Sequence, residues 1–188
     1  MARMNLDDLA TVIRSRRTSM LVERDRLVPR ALVAQLCELS QWAPNHKRTW
    51  PCRYAIVEGA ARARFGQAIA DVMEQQGDPA EKVAKTRTKY LRTPCTLVIG
   101  AAHGDSPLRT AENRDTAAAG VQNILLGATA TGLASYWSSC PKGANAVVSE
   151  LCGFDPDTQI VALVYLGWPT SLVDAPVRPE VVLHIVDA

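Results

Sequence analysis

Two short clusters carry the side chains best suited to chemistry. Arg16-Arg17-Thr18 sets two planar, permanently charged forks beside a hydroxyl, a group that suits a phosphate. Asn45-His46-Lys47-Arg48 follows Pro44, which forces the chain out of a helix and leaves polar donors on a loop. Trp42 and Trp50 flank that loop, and aromatic rings beside polar donors commonly hold a planar heteroaromatic ligand. A third segment, Ser135-Tyr136-Trp137-Ser138-Ser139-Cys140, offers backbone N–H groups and serine hydroxyls to a ligand edge. In this order and spacing the clusters point to a bound phosphorylated cofactor.

Each cluster also has a plainer reading. Arg16 and Arg17, with Arg14, resemble a basic helix end that complements the helix dipole. The Asn45–Arg48 loop resembles a solvated basic loop, and Ser135–Cys140 an ordinary strand end with a buried Trp. Other chemistries are poorly supported. His103 with Asp105, and His184 near Asp187, lack metal-ligand spacing to each other or to a cysteine, so no metal site is expected. Neither a Gly-x-Ser-x-Gly nor a Walker loop occurs. The basic stretch Lys82–Arg92 lacks the repeated aromatic interleaving that base stacking needs, so it reads as a solvated face.

The elements that must position these residues follow from periodicity. Leu6–Arg16 reads as a first helix, and Pro29 opens a second that ends before Pro44. Arg53–Val57 reads as a strand. Ala60–Gln76 and Ala80–Arg92 read as helices separated by Gly77-Asp78-Pro79. Cys95–Ala102 is a strand whose Leu97-Val98-Ile99 run implies burial on both faces. Thr110–Gly132 is the longest helix, Ser135–Ser138 a short strand, Ala144–Leu151 a short helix, and Ile160–Gly167 a buried strand. Three prolines then keep the chain extended before a terminal strand, Val181–Val186. Four or five short strands with helices between them make an α/β or α+β layered domain. A dinucleotide-binding βαβ fold is disfavoured, because no Gly-x-Gly-x-x-Gly follows a strand.

Composition sets the frame. The 188 residues, 47% hydrophobic, suffice for one domain, residues 1–188, with a real core. Net charge is +2, from 21 basic and 19 acidic residues. That balance gives no whole-surface attraction to nucleic acid or anionic membrane, so the local arginines need a local explanation. The five cysteines are odd in number and without Cys-x-x-Cys spacing, which suits free thiols in a reducing compartment. The N-terminal stretch has no apolar signal core, and a cytoplasmic location is expected. Thr116–Ala134 is too rich in polar and small residues for a membrane span and reads as a buried helix.

Taken in order, these features resemble the FMN-dependent nitroreductase family in its compact NAD(P)H oxidoreductase form. The resemblance rests on Arg16-Arg17-Thr18, on Ala43-Pro44-Asn45-His46-Lys47, on the small-residue helix ending Gly132-Leu133-Ala134-Ser135-Tyr136-Trp137, and on the strand closing in Gly167-Trp168-Pro169. It covers nearly the whole chain. Two departures stand out. Trp50-Pro51-Cys52 replaces the family's Gln-Pro-Trp, which reshapes a pocket wall. Ser19-Met20-Leu21 follows the arginines where the family often continues with another arginine and an aromatic.

The resemblance implies an α+β, three-layer α-β-α fold with a central mixed sheet of four to five strands. It implies a homodimer with two FMN sites at the interface and NADH or NADPH as reductant. One subunit would supply Arg16, Arg17, Thr18, Trp137, Ser138 and Ser139; the other would supply Trp42 and His46. The small-residue helix would allow close approach across the interface, and the terminal strand would add to the partner's sheet. The flavin N5 would carry hydride to a nitroaromatic, a quinone or an unsaturated carbonyl, with no catalytic side chain. The alternative is a flavin-binding protein of the same fold that stores or senses without turnover. A flavin-dependent oxidase or flavin-fragmenting enzyme of this fold, and a basic RNA-binding module, are further rivals.

Overall fold

The computed structural model describes residues 5–187. Helix α1 (Leu6–Ser15) opens on Asn5, whose side chain accepts from the Asp8 N–H while Asp8 reaches back to the Asn5 N–H. Such reciprocal capping fixes the helix start. Helix α2 (Arg30–Ser40) begins directly after Pro29 and ends before Pro44, as proline geometry requires. Strand β1 (Cys52–Glu58) leads into helices α3 (Ala61–Gln75) and α4 (Ala80–Lys89), and a 3-10 turn, Tyr90–Arg92, follows. Then come strand β2 (Cys95–Ala101), helix α5 (Pro107–Ala130), strand β3 (Ala134–Ser138), helix α6 (Asn145–Cys152) and strand β4 (Gln159–Gly167).

The four strands lie in the order β1-β2-β4-β3, and every adjacent pair is antiparallel. The α+β layering is as expected, but the sheet is not mixed. The only parallel pairing among the described residues is an isolated bridge between Thr18 and Ser135. The connections explain this. Helices α3 and α4 form an up-and-down pair, so they return the chain to the end where β1 left it, and β2 must run back. A single helix, α5, carries the chain the full length of the sheet, so β3 runs parallel to β2, but β4 lies between them.

Strands β2 and β4 are buried on both faces, and their alternate side chains enter two different cores. Leu97, Ile99, Ala162, Val164 and Leu166 pack with Val33 and Leu36 of α2 and Val121, Ile124 and Ala128 of α5. Val98, Leu163 and Tyr165 pack with Phe65, Ile69 and Met73 of α3, Val83 of α4 and Val148 of α6. The period-2 alternation of a strand thus gives three layers, helices on either side of one sheet.

The α3–α4 pair is tight at one point. A Cβ on Gly66 would stand 2.5 Å from the Arg87 carbonyl oxygen of α4. Gly66→Ala must push the helices apart, and we expect it to destabilise by about 1–3 kcal/mol. A urea unfolding midpoint unchanged by this substitution would show that the helix pair yields without cost.

Beyond β4 the chain bends at residues 170–171 and forms no further helix or strand among the described residues. Val22 bridges Pro169, and the Thr170 N–H donates to the Leu21 carbonyl at 2.9 Å. The expected terminal strand at Val181–Val186 is not formed within this chain. Its apolar side chains stand exposed.

Candidate functional site

The segment after α1 is fastened to the edge strand β3. Thr18 bridges Ser135, and the Ser19 N–H donates to the Ser135 carbonyl at 3.0 Å. This places Arg16-Arg17-Thr18 beside the strand that ends in Trp137 and Ser138. The two arginines then differ. Arg17 donates to the carbonyls of Arg14 at 2.5 Å, Arg16 at 3.0 Å and Val173 at 3.2 Å, so its fork is engaged in bracing the tail. Arg16 has only a long contact, 3.4 Å, to the Thr18 hydroxyl.

A residue the sequence reading passed over joins them. Arg178, carried back by the tail, lines the same cleft as Arg14, Arg16 and Arg17, with Gln122 of α5 on its wall. Among the described residues no carboxylate lines this cleft, and none of the four arginines forms an ion pair. Four guanidinium groups sharing one cleft repel each other unless an anion sits among them. The signal for Arg178 was present as a lone arginine between prolines, but only the path of the tail reveals its destination.

The end of β3 holds a second omission. Trp137 is partly exposed and Ser139 exposed. The Ser138 hydroxyl accepts from the Lys89 ammonium at 3.0 Å. Lys89 also lies over the Tyr165 ring, 5.3 Å from its centroid. Burial, and then the neighbouring Arg92, hold the Lys89 ammonium below its ordinary pKa. In the sequence Lys89 was one of several cations on a basic helix; the fold turns it toward Ser138. The adjacent Cys140 thiol is pushed up to about 11 by burial, so it stays protonated and offers no nucleophile. All five cysteines are free.

The Asn45–Arg48 loop is held by its own side chains. Asn45 accepts from the Thr49 N–H at 3.1 Å and the Thr49 hydroxyl at 3.0 Å, and that hydroxyl also lies 2.7 Å from Asn113 of α5. His46 Nδ1 lies 2.8 Å from Glu112, whose other oxygen accepts from Arg109 at 2.6 Å. Lys47, Arg48 and Trp50 all have positive φ, at 62°, 53° and 47°. Three non-glycine residues in the left-handed region store strain, which recurs at ligand-binding segments. Trp42 donates its indole N–H to Glu38 at 2.7 Å, yet its ring is 77% exposed.

One chain does not bring the loop and the arginine cleft together. The loop is tied to Glu112 of α5, whereas the cleft is walled by Gln122. Ten residues of helix separate them by about 15 Å along the axis. Among the described residues no group of acidic, His and Cys side chains could hold a metal, and no helix is long and apolar enough to cross a membrane.

Comparison with known proteins places the chain in a family. The nitroreductase family model matches residues 13–168. The chain belongs to the nitroreductase family, a family of oxidoreductases. It is 27% identical over 128 residues to "Putative NAD(P)H nitroreductase YdjA" of Escherichia coli K12, covering 68% of this chain and 70% of that protein. The crystal structure of a nitroreductase-like family protein from Bacillus cereus superposes with a TM-score of 0.79 at 24% identity, over 95% of both chains. The FMN-dependent nitroreductase NfnB of Mycobacterium smegmatis, solved with NADPH, superposes with a TM-score of 0.71 at 18% identity, over 88% of this chain and 90% of that one.

Proposed function

We propose that the protein is an FMN-dependent oxidoreductase that uses NADH or NADPH and works as a homodimer. The observation that carries this reading is the acid-free arginine cleft. Arg16 and Arg178 line it, with Arg14 beside them, which fits the doubly charged terminal phosphate of FMN. Arg17 serves as the brace that holds Arg16 and the tail in place. Thr18 and Ser138 stand along one strand edge and offer hydroxyls to the ribityl chain and the ring. The Lys89 ammonium, held against Ser138, supplies positive charge at the polar edge of the ring. Bound FMN would supply the redox chemistry, taking hydride from the reduced nicotinamide and delivering it to a nitroaromatic, quinone or unsaturated carbonyl.

The homodimer follows from what one chain leaves uncovered. Leu6, Leu9 and Ile13 form the apolar stripe of α1, yet all three are exposed. The Trp42 and Trp50 rings face solvent as well. Exposed apolar side chains grouped along one helix face in this way suit an interface. A second copy would cover them and bring the Trp42–His46 loop of one subunit to the arginine cleft of the other. His46, oriented by Glu112, would then face the flavin from the partner's side. The free thiols suit a reducing cytoplasm.

Release of the cofactor by heat and chromatography of the supernatant tests the reading. FMN is expected. An adenylate would need its own pocket, so recovery of FAD alone sinks the proposal. So does the absence of any flavin after reconstitution with FMN.

A further inference from the structure

A small cavity lies beside the strained loop, and none of its lining groups belongs to the arginine cleft or to strand β3. Its volume is about 120 Å³. The segment Trp50-Pro51-Cys52 supplies part of the lining, with Asn45 of the loop, Ser40 of α2, Tyr54 of β1 and Thr116 of α5. Close packing of α2 on α5 holds Ser40 and Thr116 in place. A Cβ on Gly120, one turn beyond Thr116, would stand 2.9 Å from the Ser40 carbonyl oxygen. Asn123 of α5 donates to the Leu39 carbonyl at 3.1 Å. The cavity is thus built before any ligand arrives.

The hydrogen bonds around it have a fixed direction. The Ser40 hydroxyl donates its one proton to the Cys37 carbonyl at 2.6 Å. In its contact with Tyr54 the Ser40 oxygen must therefore accept, and the Tyr54 hydroxyl donates. Tyr54 Oη keeps lone pairs and no free proton. Burial pushes Tyr54 and the Cys52 thiol above their ordinary pKa values, so both stay neutral near pH 7. Asn45 is the converse. Its side-chain oxygen accepts from the Thr49 N–H at 3.1 Å and the Thr49 hydroxyl at 3.0 Å, which leaves its NH2 without a partner among the described residues. Among the described residues none that lines the cavity is charged.

A charged ligand would lose its hydration there and meet no counter-charge. An apolar cavity of about 150 Å³ holds one benzene ring, so this space takes a single ring and excludes a dinucleotide or a peptide. A hydroxyl on that ring can donate to Tyr54 and accept from Asn45 at once. We propose that the cavity binds a small neutral phenol, its hydroxyl donating to Tyr54 and its ring against Trp50. The site is built from α2, β1, α5 and the loop of one chain and does not rest on the flavin reading.

Calorimetric titration of the purified protein with phenol and with its methyl ether, anisole, tests the site. Anisole keeps the ring and an oxygen acceptor but has no O–H to give Tyr54. Phenol should therefore bind about tenfold tighter, the worth of one hydrogen bond. Tyr54→Phe should erase that preference, and Cys52→Leu, which fills the cavity, should weaken both ligands. Ser40→Ala frees the Tyr54 proton, so anisole should gain on phenol, a change that a merely structural Ser40 would not produce. The same variant keeps the test decisive should Tyr54→Phe fail to fold. Absence of phenol binding to the wild type, or equal affinity for phenol and anisole, would overturn the proposal. So would binding indifferent to Tyr54→Phe and Cys52→Leu in variants with an unchanged unfolding midpoint. Flavin absorbance of the same samples separates this site from the cofactor's. A new long-wavelength band on adding phenol would set the ring against the flavin and overturn the cavity assignment; an unchanged spectrum is expected. A colourless protein that binds phenol through Tyr54 would sink the FMN reading and leave the cavity site standing.

Discussion

Arg16→Ala should weaken FMN binding about ten- to hundredfold without unfolding the protein. A charged hydrogen-bonded contact to phosphate contributes about 1.5–3 kcal/mol, and each 1.4 kcal/mol is tenfold in affinity. Arg178→Ala should have an effect of similar size, because both guanidinium groups line the same cleft. The double variant should retain little flavin, with some non-additivity from the shared ligand. The free protein should lose no stability, since the charged side chains lining the cleft among the described residues are all arginines and removing one relieves repulsion. Arg17→Ala provides the contrast. Arg17 donates to three backbone carbonyls, including Val173 of the tail, so its loss should lower the unfolding midpoint as well as FMN affinity. Titration of apoprotein with FMN and thermal unfolding of each variant decide. Unchanged affinity in Arg16→Ala and Arg178→Ala would leave the cleft as a basic surface and no more.

How far the sequence could carry these conclusions depended on the range of the interaction involved. Local signals held well. Pro29 and Pro44 bracket α2, whereas α5 begins at Pro107, three residues before the expected Thr110. The unbroken apolar run Leu97-Val98-Ile99 told of a strand buried on both faces, and both faces are packed. Strand directions were not read: a mixed sheet was expected, but every adjacent pair is antiparallel, because the β1–β2 connection, split at Gly77-Asp78-Pro79, holds two helices that return the chain to the end where β1 left it. What lay out of reach were meetings between distant segments. Nothing local distinguishes Arg16 from Arg17; only the placement of Val173 shows which fork is occupied. Arg178 and Lys89 were two cations among many until the tail and α4 brought them to Arg16 and Ser138. Val181–Val186 reads as an apolar strand, but a strand needs a neighbour, and none pairs with it within this chain.

Cutting the chain after Pro179 should abolish the stable dimer and release FMN. The removed segment contains Val181, Val182, Leu183, Ile185 and Val186, each at least 76% exposed in the single chain. Full burial of such a side chain contributes about 1.5–3 kcal/mol before the cost of ordering it. Fully extended, its nine residues would reach about 30 Å, enough to cross the face of a neighbouring subunit. Exposed apolar chain with unpaired backbone groups is a liability unless a partner sheet takes it up, and a second copy of this chain presents such an edge. Because Arg178 is retained, the truncated protein keeps the whole arginine cleft. Any loss of flavin must then come from loss of the partner subunit's Trp42 and His46, not from damage to the phosphate site. Sedimentation velocity with detection at both protein and flavin wavelengths reads the two effects together. A monomer without flavin is the expected result. A monomer that keeps its FMN would confine the site to one chain, and a flavinated dimer would show that the tail has no part in assembly.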